Sequence, residues 1–400
     1  MGIISNKINQ LEESATLAMT KLSRELKAEG KDIINLSIGE PDFNTPQFIK
    51  DAAKKAIDEN YTHYPPVAGY IPLREMISKK LKRDNGVEYS VNQIVVSTGA
   101  KQSISNVFSC ILNPGDEVII PAPYWVSYSD MVKLAGGLTK IVTTDITNDF
   151  KVSPEKIEQA ITEKTKAIIF SSPCNPTGTV YNKEELQALA NTLKNHPELV
   201  IISDEIYEYI NFDSHHESIS QFEEVRDQVV IINGVSKGFA MTGWRLGFMA
   251  GPVEIANACI KLQGQTTSGT NTIAQRAGIS AFAADPNINE DILNMVKAFR
   301  HRRDLFISLL NDIPGFKTNI PQGAFYLFPN VEYFFGKSDG ETTIKTATDL
   351  VLYILNKANV ALVTGEAFGD PRCVRFSYAT SEEILKKAAA RIKEVCNHLK

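Results

Sequence analysis

Between about Gln93 and Gly251 the chain repeats one pattern: a short apolar, mostly β-branched run, a polar or turn-forming cluster, then a segment with helical spacing. The runs are QIVVST, EVIIP, KAIIFSS, LVIIS, VVIIN and RLGFMA. A run apolar at nearly every position is a strand buried on both faces. Its alternation with helix-like segments predicts a mostly parallel sheet covered by helices. In one such segment, NKEELQALANTLKN after Gly178, Asn182 is placed to cap a helix.

Past Asp285-Pro286 the pattern changes to a long helical stretch over about 288–311, stopped by Pro314-Gly315. Short strand-like pieces follow (GAFYLF, VALVT, CVRFSYA), with helices near TATDLVLYILNKA and SEEILKKAAARIKEVCNHL, the last opened by a capping box from Thr380 to Glu383. This predicts an α/β protein with a large domain over 46–286 and a smaller α+β domain built from 287–400. Residues 1–45, with a helical segment near Thr16 to Gly30 and the turn-rich GEPDFNTP, are grouped with the smaller domain.

Composition narrows the function. Four hundred residues, 43% hydrophobic and 22% charged, describe a globular chain and exclude disordered and collagen-like classes. The net charge of -5, with no extended basic run, argues against nucleic acid as a partner. The five cysteines are scattered with no CxxC, and no apolar stretch reaches the roughly 18 residues of a membrane span, so a cytoplasmic setting is expected. The six histidines show no ligand spacing; no metal site is expected, and His215 and His216 read as solvated.

Ligands of open parallel sheets bind outside the carboxyl ends of the strands. There the chain places GAKQ after VVST, APYW after EVIIP, PCNPTG after AIIFSS, DEIY after LVIIS and GVSKG after VVIIN. Lys237 follows a strand and precedes Arg245 by eight positions; a desolvated lysine beside a second cation has a lowered pKa and attacks carbonyls to form a Schiff base. A solvated loop lysine is the alternative. Asp204 reads either as a helix cap or as a buried carboxylate facing a cationic ring nitrogen, such as that of pyridoxal phosphate. Tyr207, three residues on, reads either as an interface aromatic or as a hydroxyl presented to the same ring. Gly99 to Lys101 opens a helix and offers N–H groups to a phosphate. Trp125 is either core or a stacking ring, and Asn175 either sets a turn or contacts a ligand.

Together GEPDF, YPPVAGYIPLRE, STGAKQ, PAPYWVSY, NPTG, SDEIYE, SKGFAMTGWRLG and VRFSYATSEE resemble the class I pyridoxal-phosphate aminotransferases, in particular the bacterial aspartate aminotransferases, over essentially the whole chain. The resemblance implies a seven-stranded, mostly parallel sheet, pyridoxal 5'-phosphate as cofactor, and ping-pong transfer between amino acids and 2-oxoacids. It implies Lys237 as the lysine bonded to the cofactor, Asp204 at the ring nitrogen, Tyr207 and Asn175 at the ring hydroxyl, and Trp125 stacked on the ring. The phosphate would be held by Ala100, Lys101, Ser236 and Arg245, and by Tyr64 from the second subunit of a homodimer. Arg375 would grip the α-carboxylate with Gly39 closing over it, and Lys101, Ser14 and Thr16 would meet the distal carboxylate of aspartate. Aminotransferases for prephenate, aromatic amino acids or alanine, and carbon–sulfur lyases, are the alternatives. Prephenate-using relatives carry a basic residue near position 12, where this chain has Leu11-Glu12-Glu13, which argues against prephenate. A pyridoxal-binding regulator fused to a DNA-binding module would need length and basic charge that are lacking.

Overall fold

The computed structural model describes residues 3–11, 13–212 and 215–400. Seven strands form the main sheet: β1 Ile94–Ser97, β2 Glu117–Ala122, β3 Leu138–Thr143, β4 Thr165–Ser171, β5 Val200–Asp204, β6 Val229–Gly234 and β7 Gly247–Ala250. Their order is β1-β7-β6-β5-β4-β2-β3. All neighbours run parallel except β7, which is antiparallel to β1 and to β6.

The apolar runs do become strands buried on both faces. Ile94, Val96, Ile168, Ile201 and Ile231 belong to one core cluster. Their chain neighbours Val95, Ile169, Ile202 and Ile232 belong to another, on the opposite face. The two-residue period of a strand sends successive side chains to opposite helical layers. Strand β3 was not among the six expected runs. LTKIVT is an edge strand with exposed and half-buried positions and no fully buried one, so it carries no continuous apolar signal.

A third cluster joins Ile34 and Leu36 to Phe299, Phe306, Tyr326, Ile354, Phe376, Leu385 and Ile392. It gathers helices Glu290–Asn311, Ala347–Ala358 and Glu382–Cys396. Ile34–Asn35 pairs in parallel with Val360–Ala361, so the N-terminal segment docks on the C-terminal part. Val374–Ser377 is the middle strand of a small antiparallel sheet, between Val363–Thr364 and Tyr326–Leu327.

Local signals held with two corrections. Asn182 caps helix Lys183–Leu193 in a reciprocal box with Glu185. The last helix, however, is capped by Ser381, whose side chain accepts from the N–H of Ile384; Thr380 lies outside. His216 is not solvated: its side chain is 7% exposed and its Nε2 stands 3.1 Å from Glu205. A buried carboxylate draws it in. Among the described residues no helix is long and apolar enough to cross a membrane.

Candidate active site

The carboxyl ends of β1, β2, β4, β5 and β6 converge on a cavity of about 400 Å³. Its floor begins at Gly99, whose φ of 82° turns the chain from β1 into helix Ala100–Ile111. A Cβ at Gly99 would stand 2.4 Å from Nη2 of Arg245, and one at Gly247 would stand 2.3 Å from the amide nitrogen of Ala100. Glycine at both positions lets Arg245 and a helix N-terminus close together, a pairing suited to an anion. Arg245 is steadied by donating to the carbonyls of Thr242 (2.9 Å) and Thr98 (3.3 Å). Ser236 lines the same end.

Lys237, just beyond β6, donates from Nζ to the carbonyl of Gly39 at 2.5 Å and lies 5.6 Å from the centre of the Tyr207 ring. Burial, reinforced by Arg375 and Arg245 and opposed by Glu40 and Asp204, holds its ammonium down at about 8. At the end of β5, Asp204 is 4% exposed. It accepts from the Tyr128 hydroxyl at 2.5 Å and from the N–H of Ile206 at 3.3 Å. Burial lifts it to about 6 even so. The Tyr207 hydroxyl shares a hydrogen bond of 2.8 Å with that of Tyr326, and burial pushes Tyr207 well above the usual phenol range.

Arg375 crosses from the smaller sheet and is 1% exposed. Its Nη1 donates to Oδ1 of Asn175 at 3.0 Å and its Nη2 to the carbonyl of Ser37 at 2.6 Å. It lies over the Tyr326 ring at 4.5 Å and the Phe368 ring at 4.8 Å. A guanidinium held flat by two aromatic faces and two acceptors is preorganised for a carboxylate. Trp125 meets Tyr128 edge-on at 5.5 Å, and the Lys101 Nζ stands 4.9 Å from the Trp125 ring centre. Burial and Arg245 lower the Lys101 ammonium.

Every expected site residue but one lines this cavity: Ser14, Thr16, Gly39, Ala100, Lys101, Trp125, Asn175, Asp204, Tyr207, Ser236, Lys237, Arg245 and Arg375. Tyr64 does not; it is 95% exposed. Glu12 lies outside the described residues. Among the lining residues that the sequence did not single out, Tyr128 and Tyr326 make hydrogen bonds to expected site residues. Tyr128 had a signal, since it stands three positions after Trp125 at the start of helix Ser127–Leu134. Tyr326 had none, because its partner Tyr207 is 119 positions away.

The sequence profile described as "Aminotransferase class I and II" matches residues 31–392. The chain is 46% identical over 391 residues to the aspartate aminotransferase of Geobacillus stearothermophilus, covering 97% of this chain and 98% of that one. It is 44% identical over 399 residues to the aspartate/prephenate aminotransferase of Cereibacter sphaeroides, covering 99% of each. The crystal structure of the aspartate aminotransferase from Rhizobium meliloti is similar with a TM-score of 0.96, 38% identity and 100% of both chains covered.

Proposed function

The chain belongs to the class I and II aminotransferases and is a transaminase, and we propose that it converts L-aspartate and 2-oxoglutarate to oxaloacetate and L-glutamate with pyridoxal 5'-phosphate. The observation that carries this reading is the convergence of Lys237, Asp204 and Arg375 on one cavity.

The residues present fit the cofactor. Asp204 is a buried carboxylate raised by burial, the group that a protonated ring nitrogen would relieve. The amides of Ala100 and Lys101, with Ser236 and Arg245, form the anion-suited end, and Trp125 supplies a ring face. Bound pyridoxal phosphate supplies an electron sink for the pair left at Cα when its hydrogen departs as a proton.

This chain's residues do the rest. Arg375 binds the α-carboxylate, using the fork whose Nε is buried without a partner. Tyr207 and Asn175 orient the ring hydroxyl. Lys237 takes and returns the α-proton; at about 8 its amine is available near neutral pH, where an ordinary lysine is almost wholly protonated. Lys101, with Ser14 and Thr16 on the same cavity lining, meets the distal carboxylate of aspartate or glutamate. One site serves both half-reactions because both substrates share an α-carboxylate and a carboxylate tail. A second copy of this chain supplies Tyr64 to the phosphate, in keeping with its exposed ring. We read 46–286 as the large domain and 1–45 with 287–400 as the smaller; each supplies most of one core cluster, with Ile292 joining the first and Tyr207, Ile210 and Phe212 the second across the boundary. The five free cysteines suit a cytoplasmic setting.

An absorbance scan of the purified protein, titrated first with aspartate and then with other amino acids, tests this reading. Aspartate and glutamate should each convert the cofactor spectrum, and 2-oxoglutarate should reverse it. Conversion by alanine but not aspartate would reassign the substrate, and release of pyruvate from cystathionine would indicate a lyase. Prephenate is a second reading, favoured by the name of the Cereibacter sphaeroides relative. It predicts reversal of the spectrum by prephenate as well.

A further inference from the structure

The turn that delivers Asp204 and Tyr207 has a second, hidden side. The N–H of Glu208 donates to the carbonyl of Glu205 at 3.0 Å, so these two residues are the ends of one tight turn. Its central residues, Ile206 and Tyr207, line the cavity, as does Asp204 just before it. Glu205 and Glu208 do not line it; they are 0% and 5% exposed and share a buried ionic cluster.

At its centre is Lys80, on helix Ile71–Asn85 and 0% exposed. Its ammonium donates to Oε2 of Glu208 and, at 2.7 Å, to Oδ1 of Asn85. Asn85 passes the link on, donating from Nδ2 to Oε2 of Glu205 at 3.0 Å. The other oxygen of Glu205 accepts from Ser203 (3.0 Å) and Ser218 (2.6 Å), while His216 stands 3.1 Å from Oε2. Asp84 completes the group, 3.8 Å from the ammonium. Burial pushes the Glu205 carboxyl up, but His216, Ser218 and Lys80 outweigh it and hold it below the usual carboxylate range.

We propose that Lys80 is a positioning residue for the transamination site: its buried ammonium, bonded to Glu208 and through Asn85 to Glu205, clamps both ends of this turn and so fixes where Asp204 and Tyr207 stand. Ligand-type atoms of Glu205, Glu208 and His216 lie within 4.8 Å of one another, an arrangement that asks for a cation. Lys80 is the cation at Glu208, and His216, raised by Glu205 despite its burial, is the one beside Glu205. Breaking one side of a buried ion pair strands the other charge, whereas removing both leaves the fold nearly intact. Stability and positioning are therefore separable by mutation. The proposal rests on the reading of the cavity as a pyridoxal phosphate site.

The test compares the full-length chain with Lys80→Met, Glu208→Gln and the double variant. The readouts are affinity for pyridoxal phosphate, the pH at which its bound absorbance changes, KM and kcat for aspartate, and the thermal midpoint. Lys80→Met should lower the midpoint and the double variant should recover it. The double variant should still bind pyridoxal phosphate ~10- to 100-fold more weakly and lose kcat rather than gain KM, the scale expected of a small misplacement at a reacting centre. A shifted absorbance transition should accompany this. If Lys80→Met fails to fold, Glu208→Gln carries the same readouts with the lysine in place. Variants that fold and keep the affinity, transition and kcat of the unmodified protein would overturn the proposal. So would one equivalent of a divalent metal that purifies with the protein and is lost in Glu208→Gln. An unmodified protein that binds no pyridoxal phosphate would overturn the reading of the cavity itself, and the proposal with it.

Discussion

Tyr128 donates its hydroxyl hydrogen to Oδ2 of Asp204 at 2.5 Å, with both side chains buried at the base of the cavity. Burial works against the charged carboxylate, and the tyrosine is the strongest influence opposing it. Tyr128→Phe should therefore raise Asp204 above about 6, leave less of it ionised at neutral pH, and weaken its hold on a cationic ring nitrogen. A hydrogen bond to a charged group contributes roughly 1.5–3 kcal/mol, or ~10- to 100-fold in affinity for pyridoxal phosphate. The acidic limb of the kcat/KM profile should move to higher pH. A profile superposable on that of the unmodified protein would show that the tyrosine only fills space.

The same carboxylate predicts how the cofactor-free protein responds to pH. Asp204 has an ordinary value of 3.8 and a folded value of about 6. Between these limits the unfolded chain binds fewer protons than the folded one, so this residue's contribution to stability falls as pH rises from about 4 to about 6. Two units correspond to roughly 3 kcal/mol at most. Urea unfolding at pH 4.5 and pH 7, comparing the unmodified protein with Asp204→Asn, isolates it: the variant should gain on the unmodified protein as pH rises. The order should reverse once pyridoxal phosphate is bound. A stability difference independent of pH would show that Asp204 is not held at a raised value.

Much of this site was legible because its residues sit at predictable points of a periodic fold. Asp204 ends a strand and Lys237 follows another, and each apolar run named its own carboxyl end. Arg375 was legible only through family motifs, since a strand arginine is ordinarily a surface residue. What the chain concealed is long-range pairing. Tyr128 meets Asp204 across 76 positions, and Lys80 meets Glu208 across 128. No local periodicity distinguishes a lysine on an amphipathic helix from one that enters the core. His216 misled for a related reason: its polar surroundings in sequence suggested solvent, while the buried carboxylate beside it, Glu205, follows directly on the end of β5. Strand β3 was missed for want of any fully buried position.

Arg375 lies over the Tyr326 and Phe368 rings and is bonded to Asn175 and Ser37. Arg375→Lys replaces a planar fork by a point charge that fits neither the stack nor a bidentate carboxylate. Because every amino acid carries an α-carboxylate, kcat/KM should fall by ~10- to 100-fold for aspartate, glutamate and alanine alike, matching the loss of one hydrogen bond to a charged group. A loss confined to the dicarboxylic substrates would place the distal carboxylate at Arg375 instead.

On the proposed reading, specificity for that distal carboxylate falls to Lys101. Its ammonium stands 4.9 Å from the Trp125 ring centre at the cavity wall, with Arg245 near enough to lower its pKa. Two cations side by side are unfavourable unless anions meet them; the phosphate would answer Arg245, and a substrate with a second carboxylate would answer Lys101. Lys101→Ser should lower kcat/KM for aspartate and glutamate by ~10- to 1000-fold, the range for losing ~1.5 to 4 kcal/mol of interaction with a charged group. Alanine, lacking the second carboxylate, should be affected far less, so the aspartate-to-alanine ratio is the decisive quantity. Raising ionic strength should erode that ratio in the unmodified protein and leave it flat in the variant. If Lys101 serves only its contact with Trp125, both substrates will respond equally and weakly, and the distal carboxylate must be met by other residues.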